Sequence, residues 1–466
     1  MSMKIIELEN VEIVDFAAEG KAIAKDNGMV IFVDDAIPGD IVNLRIRRKK
    51  NYAEGTVTQI VKPSELSVQP FCRHFGDCGG CVSQRMPYSE QLKYKAKQVV
   101  DQFQRIGGVE MPVVKPILPS GKTIFYRNKL EFTFSNKRWL TKEEIGNEGA
   151  LELNALGFHV SGRFDKVLDL ERCMLQASPS NEIRNEAKRY ALSHGYEFFD
   201  VKNKTGFLRN LIVRTSSTGE TMLVVVFAYY DKNKIHDFLD NLNEKFAPTS
   251  LQYAINPKMN DNIGDLEVLC HAGKPFIEEK MENLTFRIGA KSFYQTNSEQ
   301  AYVLYDCVRK YADFKGNETV YDLYTGTGTI ACFVAANVGK VVGIEYVSEA
   351  IDDARANAAL NGIENAVFYA GDIKDVMTNE FIATNGSPDV IILDPPRAGL
   401  HPSIPQKLME IAPDKIIYVS CNPATQARDI ALLSEKYYLV EMQPVDMFPH
   451  TAHVENIALL RKFHTF

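Results

Sequence analysis

A cysteine marks the junction between an apolar run and a helical pattern, in the string K-I-I-Y-V-S-C-N-P-A-T-Q-A-R-D. The run from Ile416 to Val419 is rich in β-branched residues, which is typical of a parallel strand covered on both faces. A helical pattern resumes at Thr425, a residue type that favours helix N-termini. Cys421 is therefore predicted at the carboxyl end of a strand, where open α/β sheets bind their ligands. A thiolate there could act as a nucleophile, although an isolated cysteine is more often a small buried thiol.

A candidate base lies near the end of the chain. A thiolate that has added to a carbon–carbon double bond leaves again by elimination, when a base removes a proton from the neighbouring carbon. Glu455 stands at the entrance to a short apolar strand, Ile457 to Leu460. His450 and His453 are alternative bases, and an isolated glutamate is often only a surface residue or an ion-pair partner.

Polar residues also end the strands that precede the cysteine. The predicted strand Val320 to Leu323 runs into Y-T-G-T-G-T, where a Gly-x-Gly turn lets backbone approach a ligand closely. Glu345 ends the next strand, where it could accept both hydroxyls of a ribose. Asp372 and Asp394 follow two further strands. This pattern predicts a doubly wound, Rossmann-like α/β domain that binds S-adenosylmethionine (SAM). A nicotinamide dehydrogenase has a similar fold, but it usually carries the third glycine of G-x-G-x-x-G, and this chain has Ala331 and Cys332 after Ile330 instead.

Three cysteines are spaced as Cys72-x5-Cys78-x2-Cys81. Three thiolates this close could ligate one metal centre, but they lack a fourth ligand. Cys173 is the best candidate for it, and His74 is the alternative if the metal is zinc. A zinc knuckle and unligated thiols remain open.

The rest of the chain predicts two further domains, so the protein is expected to be multidomain. Residues 1–62 alternate as a small β-barrel with a basic stretch, residues 63–290 as an α+β domain, and residues 291–466 as the catalytic domain. Basic and aromatic residues interleave from Phe125 to Leu130 and in the strands that follow, which suits either an RNA-facing sheet or core packing. The basic residues concerned are Arg127, Lys129, Lys137, Arg138 and Arg214. A basic stretch is often only a solvated face.

Composition limits the class of protein and its compartment. The chain has 466 residues, 45% of them hydrophobic and 24% charged, with a formal net charge of -7, which argues against a uniformly basic nucleic-acid binder. The start carries no signal-peptide core, and the longest apolar run, Met222 to Tyr230, is too short to cross a bilayer. Eight clustered cysteines favour metal binding or catalysis in a reducing compartment. We therefore expect a cytoplasmic protein with no membrane contact and no evident obligate protein partner.

Five strings resemble the RNA (uracil-5-)-methyltransferase family: Y-Q-T-N, E-Y-x-x-x-A-I, D-P-P-R-x-G, S-C-N-P-x-T-x-x-R-D and D-M-F-P-H-T-x-H-V-E. They cover the last third of the chain, and S-C-N-P and F-P-H-T-x-H-x-E are highly specific. The resemblance implies a SAM-dependent enzyme that methylates C5 of uracil in RNA, with Cys421 as nucleophile and Glu455 as base. It places SAM contacts on Gln295, Tyr324, Glu345, Asp372 and Asp394.

The N-terminal module is similar to a TRAM domain, an OB-like RNA-binding barrel, in its string V-D-D-A-I-P-G-D. Together with the cysteine spacing, it resembles the branch of the family that methylates 23S ribosomal RNA. That branch carries a [4Fe–4S] cluster, which the resemblance places on Cys72, Cys78, Cys81 and Cys173. We therefore expect 23S rRNA, before full ribosome assembly, as the substrate. Thr329 stands where relatives often have Asn, and the interval between Cys81 and Cys173 is longer than in some relatives.

Several alternatives remain open. The substrate could be tRNA, and the protein could be a non-catalytic RNA-binding protein on a methyltransferase fold. Amino-group methyltransferases also carry D-P-P, but they generally follow it with an aromatic residue where this chain has Arg397. A radical-SAM enzyme would need a C-x3-C-x2-C triad, and the first gap here has five residues.

Overall fold

A computed structural model describes residues 5–141, 144–145 and 151–463. The predicted N-terminal barrel is confirmed: five strands close in the order β1-β2-β3-β5-β4. They are β1 (Ile5–Phe16), β2 (Ala22–Asp26), β3 (Met29–Asp34), β4 (Ile41–Arg48) and β5 (Ala53–Lys62), with a 3-10 turn at Ala18–Gly20. Alternate residues such as Val42, Leu44 and Ile46 fill the barrel, as the period of two requires. Asp40 is fully buried and paired with Arg85, which ties the barrel to the chain that follows.

A helix and a short strand come next. Helix α1 (Tyr88–Gln102) continues into a π-helical turn at Phe103–Gly107, and β6 (Val113–Val114) follows. Strand β6 pairs with the far edge of the C-terminal sheet, and Val99 and Phe103 belong to that sheet's core. This segment therefore packs on the catalytic sheet, although in sequence it lies within the region 63–290.

The middle of the chain forms a seven-stranded sheet in the order β13-β12-β11-β10-β7-β8-β9. Its strands are β7 (Lys129–Ser135), β8 (Ala155–Val160), β9 (Arg163–Asp169), β10 (Leu208–Thr215), β11 (Thr221–Phe227), β12 (Ser250–Ile255) and β13 (Val268–Gly273). Two helices, α2 (Ser180–Ser193) and α3 (Lys232–Phe246), pack on one face through residues such as Ile183, Phe238 and Leu239. A hairpin, β14 (Phe276–Met281) with β15 (Leu284–Gly289), leads to the last domain.

The predicted doubly wound C-terminal sheet is confirmed, in the order β18-β17-β16-β19-β20-β22-β21-β6. Its strands are β16 (Thr319–Leu323), β17 (Lys340–Glu345), β18 (Ala366–Ala370), β19 (Val390–Leu393), β20 (Lys415–Ser420), β21 (Tyr437–Val445) and β22 (Glu455–Lys462). Its helices are α4 (Ser298–Ala312), α5 (Thr329–Ala335), α6 (Ser348–Leu360), α7 (Ile373–Val376), α8 (Asn379–Asn385), α9 (Ser403–Ile411) and α10 (Pro423–Leu433). Strands β16 to β20 are parallel, and β22 is antiparallel to β20. Because parallel strands end at one edge, the residues that follow them lie together there. Among the helices of the described ranges, none is long and apolar enough to span a membrane.

Candidate active site

Cys421 and Glu455 lie side by side at the carboxyl edge of the C-terminal sheet. Strands β20 and β22 pair in an antiparallel register that sets Ser420 opposite Asn456. One step further along the same register brings Cys421 opposite Glu455. Cys421 is half-buried, whereas Glu455 is only 5% exposed. The structure thus brings together the predicted nucleophile and the predicted base, which are far apart in sequence.

Burial and neighbouring charges perturb both groups. Burial raises the pKa of the Cys421 thiol to about 12, and the Glu455 and Asp394 carboxylates add to the rise while Arg397 opposes it. Burial likewise raises the pKa of Glu455 to about 8, again with Asp394 raising it and Arg397 lowering it. Such shifts are common where acid–base chemistry takes place, because a carboxyl with a pKa near the working pH can exchange protons.

Residues of α10 hold the turn that carries Arg397. The Arg397 carbonyl accepts hydrogen bonds from Asn422 Nδ2 at 3.0 Å and from Thr425 Oγ1 at 3.3 Å. The Leu400 amide donates to Asp429 Oδ2 at 2.7 Å. A Cβ on Gly399 would lie 2.5 Å from that same oxygen, so only glycine allows this close approach. The S-C-N-P-x-T-x-x-R-D string therefore fixes the D-P-P-R-x-G turn against the cysteine.

Glu345 lies at the turn after β16. Its Oε2 accepts from the Gly326 amide at 3.2 Å and its Oε1 from the Val347 amide at 3.0 Å, so the backbone fixes its orientation. Tyr324 has φ 65°, and a Cβ on Gly326 would meet nothing within 4 Å. The turn therefore leaves room for a ligand to lie against its backbone.

Two aspartates close to this turn, Asp322, which is fully buried, and Asp394, which is half-buried, suit a cationic ligand. Asp322 Oδ2 accepts from Thr325 Oγ1 at 2.5 Å, but its Oδ1 is buried and has no hydrogen-bond partner in the part of the chain that the structure describes. Burial raises the pKa of Asp322 to about 7, and burial together with Asp322 raises that of Asp394 to about 7. A bound positive charge would stabilise both carboxylates. Asp322 was not among the predicted site residues, although it lies in β16 only two residues before the glycine-rich turn that begins at Tyr324.

Of the other predicted SAM contacts, Gln295 and Asp372 lie in different surroundings. Gln295 is 8% exposed and lies in the segment between β15 and α4, where its carbonyl accepts from Asn128 Nδ2 at 2.9 Å. Asp372 caps α7 by accepting from the Lys374 amide, and it also pairs with the Lys374 ammonium at 2.8 Å. The Asp372 side chain is therefore engaged locally.

His450 and His453, the alternative bases, have their pKa values lowered by burial, that of His450 to about 4. The Nδ1 atom of His450 lies 3.1 Å from Gln91 Nε2. Its Nε2 is buried and has no partner within the described ranges.

The four predicted cysteine ligands line a single cavity: Cys72, Cys78, Cys81 and Cys173. His74 lines it too, but its Nε2 accepts from the Glu171 amide at 3.1 Å and so has another partner. Throughout the described residues all cysteines are free, and no group of three or more His, Cys, Asp or Glu side chains is arranged to hold a metal ion. The predicted iron–sulfur centre is thus not shown, although the structure brings its four ligands together.

Most of the basic residues predicted to face RNA on the central sheet have protein partners. Arg214 is 6% exposed and donates to the carbonyls of Ala290 and Ser292. Lys137 pairs with Asp200 at 3.1 Å, and Arg138 pairs with Glu144 at 2.5 Å. Lys137 and Arg138 therefore form ion pairs with nearby acidic residues, and Arg214 forms hydrogen bonds with backbone carbonyls.

Comparison with known proteins agrees with this geometry. The family model described as tRNA (Uracil-5-)-methyltransferase matches residues 273–463. Proteins named as uncharacterized RNA methyltransferases from Bacteroides thetaiotaomicron and Porphyromonas gingivalis are 55% and 53% identical; the matches cover 95% and 97% of this chain and 99% of each relative. The solved Pyrococcus abyssi tRNA (uracil-54, C5)-methyltransferase in complex with S-adenosyl-L-homocysteine superposes with a TM-score of 0.74 at 28% identity, over 97% of this chain and 100% of that one.

Proposed function

The chain belongs to the RNA (uracil-5-)-methyltransferase family and is a SAM-dependent enzyme, and from this premise we propose that Cys421 adds to C6 of a uridine and that Glu455 removes the C5 proton. Carbon 5 of uracil is too weak a nucleophile to take a methyl group unaided. Addition of the Cys421 thiolate to C6 breaks the C5–C6 double bond and creates an enolate with negative charge at C5. SAM, when bound, supplies the electrophilic methyl group.

Release of the product then requires proton removal. The Glu455 carboxylate takes the C5 proton, and the electrons of the C5–H bond re-form the C5–C6 double bond. The C6–S bond breaks at the same time, and its electron pair returns to Cys421 as the thiolate. The observation that carries this assignment is the β20–β22 register, which sets Cys421 and Glu455 opposite each other beside Asp394 and Arg397.

The donor would lie against the turn after β16. Glu345 would accept the ribose hydroxyls, Tyr324, Gln295 and Asp394 would line the site, and the partnerless oxygen of Asp322 suits the positive charge of SAM. Asp372 is the weakest contact because Lys374 already occupies its side chain.

Replacing Glu345 with Ala is expected to weaken SAM binding by about 1–3 kcal/mol, the scale for losing charge-assisted hydrogen bonds. Isothermal calorimetry with SAM measures this directly. The matched control is Glu349→Ala, which removes an exposed carboxylate from the start of α6. If Glu345→Ala binds SAM as tightly as the control does, the ribose lies elsewhere.

The rate of product release is expected to rise with pH through about 8. The pKa of Glu455 is raised to about 8, so below that pH the carboxyl is mostly protonated and cannot accept the C5 proton. Preformed covalent complex should be transferred to buffers across this range and its decay followed, because formation of the complex depends separately on the thiol. A release rate that is flat or falls with pH would contradict Glu455 as the base.

The substrate we propose is 23S rRNA, with tRNA as the second candidate. The N-terminal barrel and the four-cysteine cavity support rRNA through the resemblance described above. The likeness of the whole chain to the Pyrococcus abyssi enzyme, named for uracil 54 of tRNA, supports tRNA. Mapping 5-methyluridine in both RNAs from a strain that lacks the protein separates the two, since only the true substrate loses the modification.

The four cysteines would hold a [4Fe–4S] cluster, because four thiols around one cavity are the donor set such a cluster takes. Such a cluster would link the loop 72–81 to Cys173. Anaerobically purified protein is expected to contain about four irons and about four acid-labile sulfides per chain. Replacing Cys173 with Ser should lower both, whereas Cys270→Ser, at an exposed site on β13, should not. Stoichiometric zinc without sulfide would contradict the cluster.

A further inference from the structure

The loop that joins β21 to β22, residues 446–454, reaches the site directly beside Glu455. Val445 and Glu455 are the cross-strand pair that closes this loop. Its conformation therefore bears on where the Glu455 carboxylate points. The loop belongs to the catalytic domain in sequence, but the groups that hold it come largely from elsewhere.

Four consecutive carbonyls of the loop accept hydrogen bonds from distant parts of the chain. The donors are Asn297 to the Met447 carbonyl at 2.9 Å, Lys95 to Phe448 at 2.9 Å, Tyr126 to Pro449 at 2.9 Å, and the amides of Val82 and Ser83 to His450 at 2.9 and 3.3 Å. A loop with every carbonyl in a row bound from outside takes its shape from those donors.

Lys95, one of these donors, also forms a buried ion pair with the loop. Lys95, 5% exposed, donates to Asp446 Oδ1 at 2.6 Å, and Asp446 is fully buried. Tyr88, two turns earlier in α1, donates to the other Asp446 oxygen at 2.7 Å. The pair joins residues 351 positions apart. A buried ion pair of this kind often adds little net stability, but its two charges must stay together, so it fixes the position of the loop against α1.

Gln91 of α1 contacts His450, in the middle of the loop, through both ends of its side-chain amide. Its Oε1 accepts from the His450 amide at 3.0 Å, and its Nε2 lies 3.1 Å from His450 Nδ1. His450 has φ 64°, a left-handed conformation that is uncommon for a residue other than glycine. Gln91 holds that conformation from both the backbone and the ring.

The same helix also supports the side of the site that carries the cysteine. Val99 and Phe103, at the end of α1 and in its π-helical turn, share a buried core with Ala427 of α10. Helix α10 begins two residues after Cys421. One helix therefore contacts both the loop beside the base and the helix that follows the nucleophile, and it lies outside residues 273–463, the part that matches the family model.

We propose that Gln91 and Lys95 are positioning residues for Glu455: they hold the β21–β22 loop so that the carboxylate faces the C5 proton of the methylated adduct. This inference rests on the proposed role of Glu455. Loosening the loop should then impair proton removal, the second half of the reaction, while thiolate addition and methyl transfer continue.

The test compares Lys95→Met and Gln91→Leu with Lys93→Met. Lys93 lies on the same helix, but its side chain is exposed and pairs with Glu90 of the same helix, so it is a matched control. Single-turnover assays with methyl-labelled SAM and substrate RNA measure methyl transfer, and denaturing gels measure the labelled covalent complex. We expect methyl transfer within about threefold of wild type and decay of the complex slowed by about 100-fold, the scale of a misplaced general base. Lys93→Met should match wild type.

Because Lys95→Met leaves the buried Asp446 without its positively charged partner, SAM binding serves as the check on folding. If that variant does not fold, the same assays are made on Gln91→Leu and on the double variant Lys95→Met with Asp446→Asn, which removes both charges of the ion pair. Normal decay of the complex, or equal losses in methyl transfer and decay, would overturn the inference. If Glu455→Gln itself accumulates no complex, the role of Glu455 fails instead, so the two failures are distinguishable.

Discussion

Replacing Cys421 with Ala is expected to abolish methylation, with a loss of at least about 10⁴-fold, the scale for removing an essential nucleophile. Without the thiolate, no negative charge develops at C5 to take the methyl group. SAM binding should be nearly unchanged, because Cys421 is not among the proposed donor contacts: it follows β20, whereas Tyr324 follows β16 and Glu345 ends β17. Methyl transfer from labelled SAM and calorimetry with SAM measure the two properties separately.

A second observation strengthens this test. RNA that contains 5-fluorouridine should form a permanent complex with the wild-type protein, because no base can remove fluorine from C5 as it removes a proton. Cys421→Ala should form no such complex. Cys270→Ser removes a thiol from an exposed site on β13, and it should methylate and form the complex normally. Appreciable methylation by Cys421→Ala would end the assignment.

The residues at the carboxyl edge of the C-terminal sheet could be predicted from sequence, because short sequence patterns mark where each strand ends. A buried β-rich run followed by a polar residue and a helix signal places that residue at the carboxyl end of a parallel strand, and Glu345, Asp394 and Cys421 all lie there. Parallel strands share one edge, so three separate local patterns predict one site. The barrel was predictable for a similar reason, since alternation with turn residues is read from neighbours in sequence.

The tertiary contacts that surround and position the site residues could not be predicted in the same way. Asp322 Oδ1 is buried without a hydrogen-bond partner in the described part of the chain, and that follows from the packing around β16, which the sequence alone does not give. The pairing of Lys95 with Asp446 joins α1 to a loop 351 residues later, and an ion pair at such a separation leaves no periodicity in the chain. A lysine on an amphipathic helix is usually solvated, so nothing local marks this one as buried.

The basic residues of the central sheet show why the number of positive charges in a stretch does not predict an RNA-binding surface. Lys137 and Arg138 belong to a stretch that suits RNA binding in composition, yet they pair with Asp200 and Glu144. Arg214 is buried and bonds backbone carbonyls. The field that RNA would meet depends on which charges remain unpaired at the surface, and that is decided by tertiary contacts.

Glu455→Gln is expected to convert the enzyme into one that traps its own product. Glutamine has nearly the same shape and is neutral, and the buried carboxyl, with its pKa raised to about 8, is itself mostly neutral at pH 7 in the free protein, so the fold should be unaffected. Addition and methyl transfer do not need the base, but proton removal should slow by about 10²- to 10⁴-fold. Methyl-labelled RNA should therefore accumulate as a covalent complex on a denaturing gel, while His453→Ala, the control for the alternative base, should not accumulate it. Near-normal turnover without a complex would place the base elsewhere.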